Sequence, residues 1–288
     1  MSHSVLSLNA LPRGGRLLVV GDIHGQLDML DRVLARIGFD GNRDVLLCLG
    51  DMIDRGPDSY ATLLAFVGPN RRPGFYSLLG NHEAMLVNRL LAVHPAAVQQ
   101  HQRNGGEWAD ALLGDLAPLI MELKTLPLCA TCVAENGRRI GAVHAELAPD
   151  RAWSELEAAR ADGRANLNFW GEAVPASALW GRRRIKLLSR LDEAKRGVTV
   201  SDAVLCEAVA DNFRVPGLDL LIAGHTILPG RLPVRCGNHL WIDTGACLPE
   251  EGGCLTVVDP AVGVYWQASS NDSWGPSLLP GDQLLAGL

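Results

Sequence analysis

Six side chains able to ligate metal stand directly after apolar runs. Asp22 and His24 lie in GDIHG, Asp51 in GDMIDRG and Asn81 in GNHE, with His144 and His225 further along. The first three loops recur about every 30 residues, the length of a βαβ unit. That spacing predicts three polar loops at the ends of successive strands, the edge where open α/β sheets bind ligands. Carboxylate and carbonyl oxygens suit hard cations, whereas imidazole suits transition metals such as Mn, Fe and Zn. In a two-metal site the ions sit about 3.5–4 Å apart and clamp the attacking and leaving oxygens of a displacement. One carboxylate must bridge them, and Asp51 in the middle loop is the natural bridge. Asp22, His24 and Asp51 are therefore expected on one ion, and Asp51, Asn81, His144 and His225 on the other.

Elements that would position these loops are legible around them. Apolar runs over 17–20, 45–49 and 75–79 read as buried strands. Leu27, Leu30, Val33, Leu34 and Ile37 recur at helical spacing, so 27–37 reads as an amphipathic helix ended by Gly38. Shorter helices are expected over 60–67, stopped by Gly68-Pro69, and over 83–93. This alternation implies a largely parallel sheet flanked by helices. Residues 96–125 read as mostly helical, 140–143 as a strand leading into His144, and 153–162 as a helix. Residues 163–217 are expected to form a cap or lid, with a helix over 199–212 whose N-cap is Ser201. A strand over 218–223 delivers His225, and 239–242, 255–258 and 262–267 read as an antiparallel finish. Residues 1–15 are expected as an N-terminal extension, and the Ser-, Gly- and Pro-rich stretch 268–288 as a surface tail. One domain spanning 16–267 is the simplest organisation, with 186–217 as a lid insertion.

Composition narrows the function classes. The 288 residues are 48% hydrophobic and 20% charged, with a net charge of −6. A general nucleic-acid or membrane-surface binder needs a basic face. Arg182-Arg183-Arg184 supplies at most a local basic pocket. No apolar run approaches the ~18 residues of a membrane span, and 1–10 does not read as a secretory signal. Seven scattered cysteines do not make a disulfide scaffold. These features point to a cytoplasmic protein. Cys129 and Cys132 fall in a strand-like run, where positions three apart face opposite ways. His3, His94, His101 and His239 read most simply as surface or helix-end residues. Trp170 and Trp180 suit either a substrate groove or core packing.

The motifs GDIHG, GDMIDRG, GNHE, VHAE at His144 and AGHT at His225 resemble the metal-dependent phosphoprotein phosphatase family of calcineurin-like phosphoesterases, in its lambda-type and bacterial branch. Asn104-Gly105-Gly106-Glu107-Trp108, Leu179-Trp180 and Trp241 to Ala246 extend the likeness over roughly 16–260. The resemblance implies an α/β fold of two mixed sheets packed as a sandwich between helices, with a dinuclear centre at the strand ends. It implies two divalent ions, Mn foremost with Fe or Zn as alternatives. It also implies activity on phosphoserine, phosphothreonine or phosphotyrosine and on simple aryl phosphates. A metal-bridging hydroxide would attack phosphorus directly, without a covalent phospho-enzyme. His82 resembles the acid that protonates the leaving oxygen, and Asp54 its tautomer-fixing partner. Arg55 resembles a phosphate clamp. Arg182 matches a second clamp, with Arg183 and Arg184 as alternative registers. Glu83 matches a residue orienting the loop.

A phosphoprotein or small phosphate ester is thus the expected substrate, with neither nucleic acid nor membrane as partner. The chief rival is hydrolysis of diadenosine tetraphosphate, whose enzymes commonly carry Asp after the Asn-His pair where this chain has Glu83. A cyclic-nucleotide or RNA-end phosphodiesterase and a catalytically dead binding module are further alternatives.

Overall fold

The computed structural model describes residues 5–8, 14–92, 95–134, 137–149, 151–158, 174–195 and 210–280. Two six-stranded sheets form its centre. The strands are β1 (Val5–Ser7), β2 (Leu17–Val20), β3 (Val45–Cys48), β4 (Phe75–Ser77), β5 (Cys129–Val133), β6 (Arg139–Val143), β7 (Leu220–Ala223), β8 (Val234–Cys236), β9 (His239–Trp241), β10 (Leu255–Asp259), β11 (Val264–Ala268) and β12 (Ser273–Leu278). One sheet runs β1-β5-β6-β7-β9-β8 and the other β12-β11-β10-β2-β3-β4. Strands β2, β3 and β4 are mutually parallel, as are β6, β7 and β9.

Near-continuous apolar strands follow from burial on both faces. Leu17, Val19 and Leu47 point into the space between the sheets, where they meet Ala142, Ile222, Leu240 and Ile242. Leu18, Val20, Leu46 and Cys48 face the other way, onto Met29, Leu30, Val33 and Phe66. Those belong to helices α1 (Leu27–Ile37) and α2 (Ser59–Phe66). Gly38 ends α1 in the left-handed conformation that glycine adopts without penalty. On the far side of the other sheet, Val143, Leu221 and Trp241 pack with Trp153, Ala178, Ile185 and Leu188. Each interior leucine removed from water contributes about 1.5–3 kcal/mol, so both sheets are locked together and their strand ends held in register. Cys129 joins the outer core and Cys132 the inner one, the opposite faces expected from their spacing.

On its way from β4 in one sheet to β5 in the other, the chain runs through α3 (Asn81–Leu90), α4 (Ala97–Arg103), α5 (Leu113–Leu116) and α6 (Ile120–Leu123). After β6 come α7 (Trp153–Ala158), α8 (Val174–Trp180) and α9 (Arg183–Lys195).

Three expectations need correction. Residues 273–278 are not a tail: β12 pairs antiparallel with β11 and edges the sheet. Its Ser, Gly and Pro content hid the strand, and an edge strand needs little apolar surface. The N-terminal extension likewise contains β1, paired parallel with β5. Strand β9 does not join β10 and β11 but lies in the other sheet, parallel to β7. Of the expected lid, 174–195 is described and forms α8 and α9, whose Leu179, Ile185 and Leu188 are buried. Trp170, Ser201 and most of the expected helix 199–212 lie outside the described residues.

Candidate dinuclear metal centre

All the expected loops converge at the ends of β2, β3, β4, β6 and β7, and they are stitched to one another. The backbone N–H groups of Ile23 and His24 donate to the Asp51 carbonyl at 3.0 and 2.9 Å. Gly224 N–H donates to the His144 carbonyl at 2.7 Å. The Asp22 carboxylate accepts the backbone N–H of His225 at 3.0 and 3.1 Å, tying the two sheets across the site. Glu83 accepts the N–H groups of Asp51, Met52 and Gly80 at 2.8, 2.8 and 3.0 Å, so it holds two loops at once. Gly80 is required there, because a Cβ would sit 2.3 Å from Asp51 Oδ1. The backbone itself is strained at this edge. His24, Asp51, Asp54, Arg55 and His225 all have φ between 47° and 74°. That region costs non-glycine residues about 1–2 kcal/mol each, and such residues gather at functional sites.

Two clusters of ligand atoms result. Donor atoms of Asp51, His144 and His225 lie within 4.8 Å of one another, and so do those of His24, Asp51 and His82. Asp51 belongs to both, the bridging place expected for it. Asn81 Oδ1 joins the first cluster, 2.8 Å from His144 Nε2 and 2.9 Å from His225 Nδ1. In the second cluster His82 stands where Asp22 was expected. The Asp22 carboxylate is buried close enough to Asp51 and Asp243 to feel both charges.

Two histidines are turned by a carbonyl behind them. His144 Nδ1 lies 3.0 Å from the Leu49 carbonyl, and His24 Nδ1 lies 2.9 Å from that of Ile53. A carbonyl only accepts, so Nδ1 carries the proton and Nε2 presents its lone pair to the site. Burial pushes the His144 pKa down to about 3 and holds those of His24 and His225 well below the ordinary value. These rings are neutral at pH 7. The His144 Nε2–Asn81 Oδ1 contact therefore sets two lone pairs face to face with no proton between them. His225 Nε2 is buried without a hydrogen-bond partner. Meanwhile burial, then neighbouring carboxylates, raise Asp22 and Asp51 well above the usual carboxylate range. Burial also pushes Asp243 up to about 6. Unshared lone pairs beside crowded carboxylates are a donor set that divalent cations satisfy, so the residues fit a metal pair.

Residues expected to meet the phosphate lie alongside. His82 Nδ1 is 2.7 Å from Asp54 Oδ2, with both side chains buried. Arg55 Nη1 lies 2.9 Å from His24 Nε2. Arg182 is exposed, and its charge adds to the lowering of His144 and His225. Arg184 is buried and turned into the fold, donating through Nε to the Leu147 carbonyl at 2.9 Å. Arg182 stands just ahead of α9, whose first turn is held by Glu146: its carboxylate accepts the backbone N–H groups of Arg183 and Arg184. Trp180 lies edge-on to His225, with ring centroids 5.9 Å apart.

Some contributors were not expected. His101, expected as a surface or helix-end residue, does lie in the last turn of α4 but is fully buried against Asp54, whereas His239, with the same expectation, opens β9, fully buried and stacked on Trp241 at 4.1 Å. Trp108, Glu146 and Asp243 lie within the NGGEW, VHAE and WIDTGA motifs, whose pattern alone gives them no individual role.

Paired ligand clusters at one edge of a two-sheet α/β sandwich define a metallophosphoesterase. The family model described as calcineurin-like phosphoesterase matches residues 15–229, and the chain belongs to that family. It is therefore a hydrolase of phosphate esters. It is 27% identical over 233 residues to serine/threonine-protein phosphatase 2 of Salmonella typhimurium, covering 79% of this chain and 86% of the relative. It is 48% identical to the symmetrical bis(5'-nucleosyl)-tetraphosphatase of an Acidovorax species, but over 73 residues that make up 25% of each chain. A protein serine/threonine phosphatase from Saccharomyces cerevisiae shares the fold, with a TM-score of 0.55 and 17% identity, over 99% of this chain and 87% of that one. Among the described residues no helix is long and apolar enough to cross a membrane.

Proposed function

We propose that the chain is a phosphomonoesterase that removes phosphate from serine or threonine side chains of proteins. The observation that carries this reading is the buried His82–Asp54 pair, whose His82 reaches the edge of two ligand clusters that share Asp51 and lies within one of them. Asp22, His24 and Asp51 would hold one divalent ion, and Asp51, Asn81, His144 and His225 the other. When bound, the ions supply Lewis acidity and acidify a water. Mn is the first choice for both positions. Arg55 and Arg182 bind the phosphoryl oxygens, where the guanidinium fork matches two oxygens at once. Water oxygen displaces the ester oxygen from phosphorus. His82 gives its Nε2 proton to the departing alkoxide, and Asp54, bonded to Nδ1, keeps Nε2 turned to it.

The likeness to the Salmonella protein phosphatase along most of both chains supports a phosphoprotein substrate. So does Glu83, which follows the Asn81-His82 pair where the dinucleoside tetraphosphatases that the motifs resemble commonly carry Asp. A second reading, hydrolysis of dinucleoside tetraphosphates, draws on the higher identity of the shorter stretch shared with the tetraphosphatase. A Mn-supplemented panel separates them. Phosphoserine peptide, 4-nitrophenyl phosphate and diadenosine tetraphosphate are turned over side by side by wild type and by Asp51→Asn. The proposal expects phosphopeptide turnover to lead and the variant to lose about 10³-fold, the several kcal/mol that metal electrostatics supply. Tetraphosphate turnover exceeding that of phosphopeptide by orders of magnitude overturns the choice of substrate. Unchanged activity in Asp51→Asn overturns the mechanism.

A further inference from the structure

Asp54 does more than meet His82. Its Oδ2 takes the Nδ1–H of His82 at 2.7 Å, while its Oδ1 takes the Nε1–H of Trp108 at 2.7 Å and lies 3.0 Å from His101 Nε2. His101 and Asp54 are fully inaccessible to solvent, and His82 nearly so. Behind His101 stands Arg89, with Nη1 3.4 Å from His101 Nδ1 and 3.0 Å from the Gly106 carbonyl. Arg89 is braced in turn by Asp110. A guanidinium only donates, so His101 Nδ1 accepts and the ring proton aimed at Asp54 is the one on Nε2. The hydrogen-bond order is Arg89 to His101 to Asp54, with His82 donating to Asp54 from the opposite side.

The Asn104 to Trp108 motif is shaped around this arrangement. A Cβ on Gly106 would lie 2.4–2.5 Å from the His101 ring, so only glycine lets that ring sit there. Gly105, at φ +92°, would put a Cβ 2.7 Å from the Arg55 nitrogen, and its carbonyl accepts the Arg55 N–H at 3.3 Å. One short segment thus seats His101, supports the Arg55 backbone and delivers the Trp108 donor. Left with His82 alone, an aspartate carboxyl turns freely about its broad terminal torsion. Two donors on Oδ1 remove that freedom and leave Oδ2 to His82.

We propose that His101 is a positioning residue for proton delivery: acting through Asp54, it sets the ring orientation of His82, with Trp108 as the lesser second hold. The inference rests on the reading of His82 as the proton donor. Its signature is leaving-group dependence. A serine alkoxide needs the proton as it departs, whereas 4-nitrophenolate departs without one.

The test compares phosphoserine peptide with 4-nitrophenyl phosphate in the Mn-loaded full chain. His101→Leu is expected to lower kcat on the peptide about 10–100-fold, the usual loss when a group orienting a functional residue is removed. The loss on the aryl ester should be several-fold smaller, with KM and bound Mn unchanged. His101→Gln keeps an N–H near the Nε2 position and should recover most of the peptide activity. Trp108→Phe should show the same bias at smaller amplitude. His82→Asn is the reference for the bias. If it shows none, the reading of His82 fails. If it shows the bias while His101→Leu slows both substrates equally, or His101→Gln recovers nothing, the role of His101 is overturned. Should His101→Leu not fold, the bias in His101→Gln and Trp108→Phe decides by the same criteria.

Discussion

His82 and His144 stand at the same strand-end edge, both buried, each with Nδ1 engaged from behind, yet different things hold them. Behind His144 is the neutral carbonyl of Leu49, and behind His82 the carboxylate of Asp54. Burial lowers both pKa values. For His144 the hydrogen bond to the Leu49 carbonyl pushes back only in part, the nearby His82 and Arg182 add to the lowering, and the value falls to about 3. For His82 the hydrogen bond and charge of Asp54 push back. Asp54 itself stays ionised, because its bonds to His101 and His82 outweigh its own burial and hold it far below the ordinary range. A ring that stays neutral offers a permanent lone pair, as a metal ligand must. A ring backed by an anion can take up and release a proton, as an acid must. The partner behind the ring, more than the ring's place in the loop, separates a ligand from an acid.

The largest effect expected from this contrast is on metal content. His144→Ala should lose bound metal along with activity. His82→Asn should lose about 10²–10⁴-fold in peptide turnover, the range for general acid catalysis, while keeping its metal. Metal analysis of both proteins after Mn loading and dialysis decides the matter. Because His82 clusters with His24 and Asp51, metal loss in His82→Asn would make it a ligand and end the distinction.

A smaller effect is expected at Glu146, which braces the residues next to Arg182 as Asp54 braces His82. Glu146→Gln keeps one acceptor oxygen and should raise KM for phosphopeptide by several-fold to about 10-fold, with kcat less affected. Steady-state kinetics read it, and a pure kcat effect would detach Glu146 from substrate binding.

The smallest effect lies outside the site, at a carboxylate held by a cation. Burial pushes the Asp44 pKa up. The Arg16 side chain, 2.6 Å away, and the N–H groups of Asp40 and Arg16 outweigh it and bring it to about 2. The folded pKa is below the unfolded 3.8, so the stabilisation is complete above about pH 4 and is lost as pH falls toward 2. Its size is on the order of 2 kcal/mol. Urea unfolding of wild type and Asp44→Asn should differ by that amount at pH 7 and converge as pH falls toward 2. A gap independent of pH would show that Asp44 acts by shape rather than charge.

Much of this centre was legible from the chain alone. Metal-competent residues after apolar runs, about 30 residues apart, announced strand-end loops, and every one of those loops is found at the same edge. Helix α1 runs from Leu27 to Ile37 as its periodicity predicted. Periodicity is a local signal, and these are local facts. The burial of His101 and His239 was not legible because burial is not local: His101 stands at the end of a short helix, as expected, and looks exposed until Asp54 and Arg89 close over it, and His239 opens a strand that only sheet packing covers. Strands β1 and β12 were missed because edge pairing draws on backbone hydrogen bonds, which leave no side-chain pattern.

The sequence by itself determined the types of the candidate ligand residues, their order and their placement at strand ends, since these depend on residue chemistry and the short-range repeat of the backbone. Tertiary structure alone decided which carbonyl or carboxylate backs each ring, and it turned Arg184 into the fold while leaving Arg182 exposed. It also seated His101 behind Asp54. Those outcomes depend on contacts between residues as far apart as His144 and Leu49, or Asp54 and His101, and such pairings exist only once the two sheets have packed.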